Sequence, residues 1–255
     1  MAALTPADVD LAAIDNLVDG THPQPHDVVG PHVADGVVTI RVLRPNATSV
    51  DVVLGGEHLP MTHVHRGVWA TAVPGTDAPD YRLAVAYDGD PLPADDPYRF
   101  LPTLGEVDQH LISEGRHEQI WQVMGAHTHV YETPHGPVHG VSFAVWAPNA
   151  KGVRVVGDFN FWDGTASPMR SLGSTGIWEI FVPEIGDGSR YKFDVLGHDG
   201  VRRLKADPYA NATEIPPATA SVVFTSNYDW QDESWMTMRA KTDPHTGPMS
   251  IYEVH

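Results

Sequence analysis

The sequence predicts an all-β protein made of two tandem β-sandwich modules, with a short N-terminal helix and a helical connector, and three observations carry that prediction. First, Val141, Phe143 and Val145 alternate with Ser142, Ala144 and Trp146, and Tyr191, Phe193 and Val195 alternate with Lys192 and Asp194. A period of two places one set on the core face of a strand. Second, short phrases occur twice: Pro45-Asn46-Ala47 and Pro148-Asn149-Ala150, Gly67-Val68-Trp69 and Gly176-Ile177-Trp178, Tyr81-Arg82-Leu83 and Tyr191-Lys192-Phe193, Asp96-Pro97-Tyr98 and Asp207-Pro208-Tyr209. Their spacing drifts slowly, from 103 residues (45 to 148) to 111 (96 to 207), as a tandem repeat with a few loop insertions does. Third, the 255 residues include 23 Gly and 22 Pro, well above the roughly 12% of average proteins, as many short strands joined by turns require.

Taken in order, residues 1–20 form an N-terminal helical segment. Thr5 can cap it, Pro6 suits the first turn and Asp8 holds the third position of a capping box. Leu11, Ile14, Leu17 and Val18 share one face, expected to pack on the first sandwich, and Gly20 is a stop signal. Residues 21–105 are the first module, a degenerate copy. Where the second module reads Gly157-Asp158-Phe159-Asn160-Phe161-Trp162, the first reads Leu54-Gly55-Gly56-Glu57-His58-Leu59, and Arg82 stands in place of Lys192. Residues 106–127 are a connector with one helix expected near 118–124. Residues 128–228 are the second module, in which Pro148-Asn149 turns the chain and His198-Asp199-Gly200 closes a hairpin. Residues 229–255 read as a linker, polar from Lys241 to Pro248, and then a strand-like Ile251 to His255. Nothing follows to pair with that last segment, so a further domain is expected there. Two sandwiches of this size and strand count are of the immunoglobulin-like type.

Composition excludes several function classes. A net charge of −17 argues against nucleic acid and against anionic membranes, both of which attract basic faces. There is no cysteine, which suits a reducing cytoplasm, and no apolar run reaches the length of a membrane span. The chain holds 15 His, and His63/His65 and His127/His129 are spaced two apart, placing the first pair on one face of a strand. No third ligand in a zinc frame accompanies either pair, so we expect no metal and no cofactor. No G-x-S-x-G elbow, P-loop or kinase set occurs. Asp158 and Asp163 are the one carboxylate pair beside an aromatic. Asp163-Gly164 reads as a hairpin turn and Asp158 as a loop residue rather than as a glycosidase pair.

Val156 to Trp162, Tyr191-Lys192-Phe193 and Ala206-Asp207-Pro208-Tyr209 resemble the family 48 carbohydrate-binding module of isoamylase-type α-glucan enzymes and of glycogen-binding kinase subunits. Nearly the whole chain is similar to the front end of two-module actinobacterial glycogen branching enzymes. That similarity rests further on Gly30-Pro31-His32, Leu101-Pro102-Thr103-Leu104-Gly105, Gly125-Ala126-His127 and Tyr252-Glu253-Val254-His255. In that family the last motif begins the catalytic (β/α)₈ barrel. The resemblance implies a parent enzyme of glycogen biosynthesis, a retaining glycosyltransferase that moves an α-1,4-glucan segment onto a 6-hydroxyl to form an α-1,6 branch. Its catalytic residues lie beyond His255, so none is expected here and the chain alone is expected to be inactive. The implied sugar contacts are Trp162 and Lys192, with glycogen, amylose or malto-oligosaccharides and the parent's own barrel as partners. The tryptophan that follows the hairpin glycine in the kinase subunits is replaced by Val201 after Gly200, which implies weak binding.

Physically, the apolar face of a glucose ring can cover an indole while its hydroxyls bond to Lys192 and Asn160. Trp178 alternates with Ile180 and Val182 and is expected in the core. Two rival readings remain at this point: a pair of immunoglobulin-like modules serving as a protein-binding or spacer scaffold, and the N-terminal part of a related debranching enzyme.

Overall fold

The structure, a computed structural model, describes residues 4–243 and 245–254. The first three residues of the expected helical segment and the final His255 of the strand-like ending therefore lie outside the described residues. The chain divides into two compact units, Met1–Thr225 and Ser226–His255.

In the first unit the strands of the first module are β1 (Gly30–Ala34), β2 (Val37–Leu43), β3 (Ser49–Leu54), β4 (Glu57–Pro60), β5 (Thr62–His65), β6 (Val68–Pro74), β7 (Arg82–Ala86) and β8 (Leu92–Ala94). Those of the second are β9 (Gly125–Tyr131), β10 (Val138–Trp146), β11 (Gly152–Gly157), β12 (Arg170–Ser171), β13 (Ile177–Pro183), β14 (Arg190–Leu196), β15 (Arg202–Lys205), β16 (Ala212–Thr213) and β17 (Ser221–Val222). The first module pairs β1-β2-β6-β5 against β4-β3-β7-β8, and the second pairs β9-β10-β13-β12 against β11-β14-β17-β16, with β15 also on β14. The order β1-β2-β6-β5 is repeated as β9-β10-β13-β12, so the phrases repeated in sequence are a repeated topology.

Each repeated phrase has a structural task. The Tyr81 hydroxyl donates to Asp96 Oδ2 at 2.5 Å and the Tyr191 hydroxyl to Asp207 Oδ2 at 2.6 Å. The other carboxylate oxygen accepts the Tyr98 or Tyr209 amide, which closes a buried latch in both copies. Burial pushes both carboxyls above their ordinary range. Gly30 and Gly125 both have left-handed backbone (φ 92° and 93°), and a Cβ there would strike the Tyr98 or Tyr209 carbonyl oxygen at 2.6 or 3.0 Å. Only glycine lets the strand pass beneath the latch.

Val141, Phe143, Val145, Trp178, Ile180, Tyr191 and Phe193 meet in the core of the second module, and Val38, Ile40, Val42, Trp69, Tyr81 and Leu83 in that of the first. Trp178 lies opposite Val145 and Trp69 opposite Val42. Part of the opposite face of β10 is covered as well, although Trp146 stays exposed. Ala144, with Ile177 of β13, packs against Leu104 and Met124 of the connector.

Helix α1 (Leu11–Asp19) is capped by Asp10, whose side chain accepts the Ala12 amide, and ends at left-handed Gly20. The cap is not Thr5, because residues 7 and 8 are held extended: Thr39 Oγ1 accepts the Ala7 amide and the Arg41 guanidinium donates to the Ala7 and Asp8 carbonyls. Nor does α1 pack on the first sandwich alone. Ile14 and Leu17 join one apolar cluster with Leu43 and Val68 of the first module and Val153 and Val155 of the second. Its polar side is bound from both directions. Arg66 and His65 reach Asp15, while Arg154 donates to the Val18 carbonyl at 2.5 Å and Arg202 to that of Asp19 at 2.6 Å.

The connector helix is α2 (Glu106–Ser113), not 118–124, where only a 3₁₀ turn, Ile120–Gln122, forms. Glu106 and Asp108 in the first turn suit a helix N-terminus, whereas Ile120 and Val123 are drawn onto the Leu104–Met124 cluster. The second unit contains α3 (Glu233–Ala240) in the segment read as linker, and Ile251 to Val254 form no strand. Among the described residues no helix is long and apolar enough to cross a membrane.

Candidate functional site

Strand β11 ends at Gly157 and the chain enters a 3₁₀ turn, Asp158–Asn160. Asn160 holds this loop closed: its Oδ1 accepts the Gly157 amide at 2.9 Å, and its Nδ2 donates to the Val155 carbonyl at 3.0 Å and to Ser167 Oγ at 3.3 Å. Both amide hydrogens are therefore used inside the loop, leaving one Oδ1 lone pair for a ligand. Phe159 turns inward and stacks on Phe143, 5.9 Å between ring centres. Asp163 does not make a hairpin turn. It caps a second 3₁₀ turn, Gly164–Ala166, accepting the Thr165 amide and hydroxyl.

Between these two turns Phe161 and Trp162 are consecutive left-handed residues, φ 53° and 64°. Bulky side chains rarely adopt that region, which costs on the order of 1–3 kcal/mol per residue and persists only where the surroundings impose it. The Trp162 amide donates to the Gly157 carbonyl at 2.9 Å, which fixes the turn. The result presents two aromatics to solvent: Phe161 is 93% and Trp162 41% exposed, and neither belongs to a core cluster.

Lys192 stands on β14 opposite Val156 of β11, and its Nζ donates to Thr219 Oγ1 at 2.7 Å. The neighbouring Arg190 bridges Asp158 and Glu214 at 2.8 and 3.2 Å. Its hydrogen bond, aided by one from the Trp162 side chain, holds Asp158 below the usual carboxylate range, and the Thr165 bonds do the same for Asp163. A general acid needs a raised pKa, so both carboxylates serve the loop. Trp162 and Asn160 thus share one loop, and Lys192 lies on the strand beside it. The exposure of Phe161 is not announced by the sequence: a two-residue period would put it on the same face as Phe159, and the left-handed backbone turns it outward instead.

The histidine pairs come apart. The register of β5 shifts between His63 and His65, so His63 accepts the Gly67 amide while His65 pairs with Asp15. His127 bonds the Met124 carbonyl and His129 meets the Tyr131 ring edge-on. Among the described residues no group of three or more His, Asp or Glu could hold a metal ion.

Residues 10–98 match the family described as alpha-1,4-glucan branching enzyme GlgB, N-terminal domain, and residues 123–210 match Carbohydrate-binding module 48 (Isoamylase N-terminal domain). The chain is 60% identical to the 1,4-alpha-glucan branching enzyme GlgB of Thermobifida fusca over 96% of its own length and 33% of that protein's. For the enzymes of Frankia casuarinae and Rhodococcus jostii the identities are 56% and 54%, over 95% and 96% of this chain and 30% and 34% of theirs. The chain spans about a third of the length of the curated relatives it matches.

Proposed function

We propose that the chain, whose residues 10–98 and 123–210 match the GlgB N-terminal domain and carbohydrate-binding module 48, belongs to the 1,4-alpha-glucan branching enzyme GlgB family and serves as the non-catalytic, glucan-handling part of such an enzyme in glycogen biosynthesis. On this reading the parent is a cytoplasmic transferase that moves an α-1,4-glucan segment onto a 6-hydroxyl. Residues 128–228 contact glycogen, amylose or malto-oligosaccharides, while residues 21–105, whose loop has lost the aromatic, support the parent's catalytic barrel.

The observation that carries the reading is the outward Trp162 on its strained loop, with Lys192 on the strand paired to the one that enters that loop, within the segment matched to a carbohydrate-binding module. A spacer has no need of an aromatic held out of the core. One covered indole contributes about 1.5–3 kcal/mol before the costs of association, so each site binds weakly. The Lys192 ammonium and the free lone pair of Asn160 would take the sugar hydroxyls.

Trp162→Ala is expected to reduce glycogen retention in affinity electrophoresis at least fivefold while the melting temperature moves by less than about 2 °C, since surface changes stay within roughly 0.5 kcal/mol. Leu59 lies on β4 opposite Val52 and packs against the core of the first module rather than in a loop like that of Trp162, so Leu59→Ala should leave retention unchanged. Retention intact in Trp162→Ala would overturn the assignment of the platform. The chain alone should also leave the iodine stain of amylose at the level of an enzyme-free control, because the carboxylate pair of a retaining mechanism is missing. A fall in absorbance would place chemistry in these modules.

A further inference from the structure

We propose that the cleft between the two sandwiches is a second glucan-binding groove, with Phe161 and Tyr87 as its apolar platforms. The inference rests on the reading that this chain handles α-glucan, but it assigns a surface made jointly by both modules, which shares Asn160 with the Trp162 platform. The cleft has a volume of about 820 Å³, within the roughly 300–1,000 Å³ of small-molecule sites. From the first module it is lined by Asn46 in the β2–β3 turn, by Tyr87 just after β7 and by Leu92 of β8; from the second it is lined by Phe161, Thr165 and Glu184. Trp162 is not part of it. The two successive left-handed residues send one aromatic to each surface.

Three features of the lining point to a neutral, hydroxyl-bearing chain. Apolar side chains stand in the open: Phe161 is 93%, Leu92 67% and Tyr87 47% exposed. A phenylalanine held that far out adds little to folding, and sugar rings cover such faces. The backbone is shaped around the cleft, since of the six non-glycine residues with positive φ among the described residues, Asn46, Phe161 and Glu184 line it. Finally, its charge is acidic. Asp163 and Glu184 face it, Asp95 in the same lining is buried and paired with Arg82 and Arg99, and the one cation of the lining, Arg44, is buried and spent on the Leu43 and Asp95 carbonyls at 3.0 and 2.6 Å. Phosphorylated sugars, nucleotides and acidic polymers are repelled, whereas hydroxyl donors meet carboxylate, amide and hydroxyl acceptors.

The experiment is titration of the whole chain with maltoheptaose, read by amide hydrogen exchange and by Kd. Maltoheptaose should slow exchange in residues 85–94 of the first module, a readout on the unmodified protein that no variant's folding can compromise. Phe161→Ala and Tyr87→Ala should each raise Kd about five- to tenfold with melting temperature unchanged. If Trp162→Ala weakens binding while Phe161→Ala, Tyr87→Ala and exchange in 85–94 show no effect, the groove is overturned and the Trp162 platform stands. The reverse pattern upholds the groove and removes the platform. Protection of 85–94 by oligolysine but not by maltoheptaose overturns the groove in favour of a cationic partner, and absence of any maltoheptaose binding overturns both sites.

Discussion

Trp178→Ala is expected to lower the stability of the first unit by about 3–5 kcal/mol, the range for removal of a large buried aromatic. Trp178 is 4% exposed in the core of the second module, and its Nε1 donates to the Ala147 carbonyl at 3.1 Å. Truncation would open a cavity and remove one of the two donors to that carbonyl, at the Pro148 turn, leaving it the Ala150 amide. Its counterpart provides an internal control. Trp69 is 9% exposed, and among the described residues its buried Nε1 has no acceptor. Trp69→Ala therefore loses packing without a hydrogen bond and should cost about 1 kcal/mol less than Trp178→Ala. Urea unfolding followed by far-ultraviolet circular dichroism measures both. A loss under about 1.5 kcal/mol for Trp178→Ala would mean that the second module does not close around it.

Stability should also fall by about 2 kcal/mol between pH 7.5 and pH 5.0 through His26 alone. His26 lies at the seam of the two modules, its Nε2 accepting from Arg170 at 3.0 Å and its ring edge-on to Tyr98. Burial, with the Arg170 charge behind it, pushes its pKa down to about 3. A free histidine titrates near 6.5. Below that pH the unfolded chain takes up a proton that the folded chain refuses, so the stabilisation is complete above about 6.5 and drains away as pH falls toward 3. Burial depresses His32 in the same sense. Asp95 works against them: burial raises its pKa to about 6, so its contribution is present at low pH and is lost as pH rises through 6. His26→Gln removes one titration and leaves the others, and the variant should lose about 2 kcal/mol less than the parent over this interval. Equal pH dependence in the two proteins would show that His26 takes its proton in the folded state.

Much of the fold was legible because a repeat shows itself without any knowledge of contacts. The duplicated Tyr and Asp-Pro-Tyr phrases became the latches of Tyr81–Asp96 and Tyr191–Asp207, and the alternation at Phe143 and Tyr191 gave the core face. Tertiary contacts decided what periodicity could not see. Thr39 and Arg41, more than thirty residues away, unwind the expected start of α1, and the connector covers Ala144 on the outer face of β10. At the candidate site Trp162 and Lys192 were reached by resemblance and Asn160 by its chemistry. The outward turn of Phe161 and Trp162 was not legible, because it depends on two left-handed residues that a two-residue period has no means of announcing.

The apolar cluster running from Ile14 and Leu17 through Leu43, Val68 and Tyr98 into Val153 and Val155 changes what the duplication means. Copies strung on a flexible linker melt one by one and can be shuffled between proteins. Here the first copy and α1 extend the interior of the second, so a cut at the repeat boundary would bare apolar surface on both halves. The first copy is free to let its loop decay, as Gly55-Gly56 and Leu59 in place of Asp158-Phe159 and Trp162 record, yet it cannot be discarded. The two copies are therefore one packed body, in which the first is held by the surface it turns toward its neighbour.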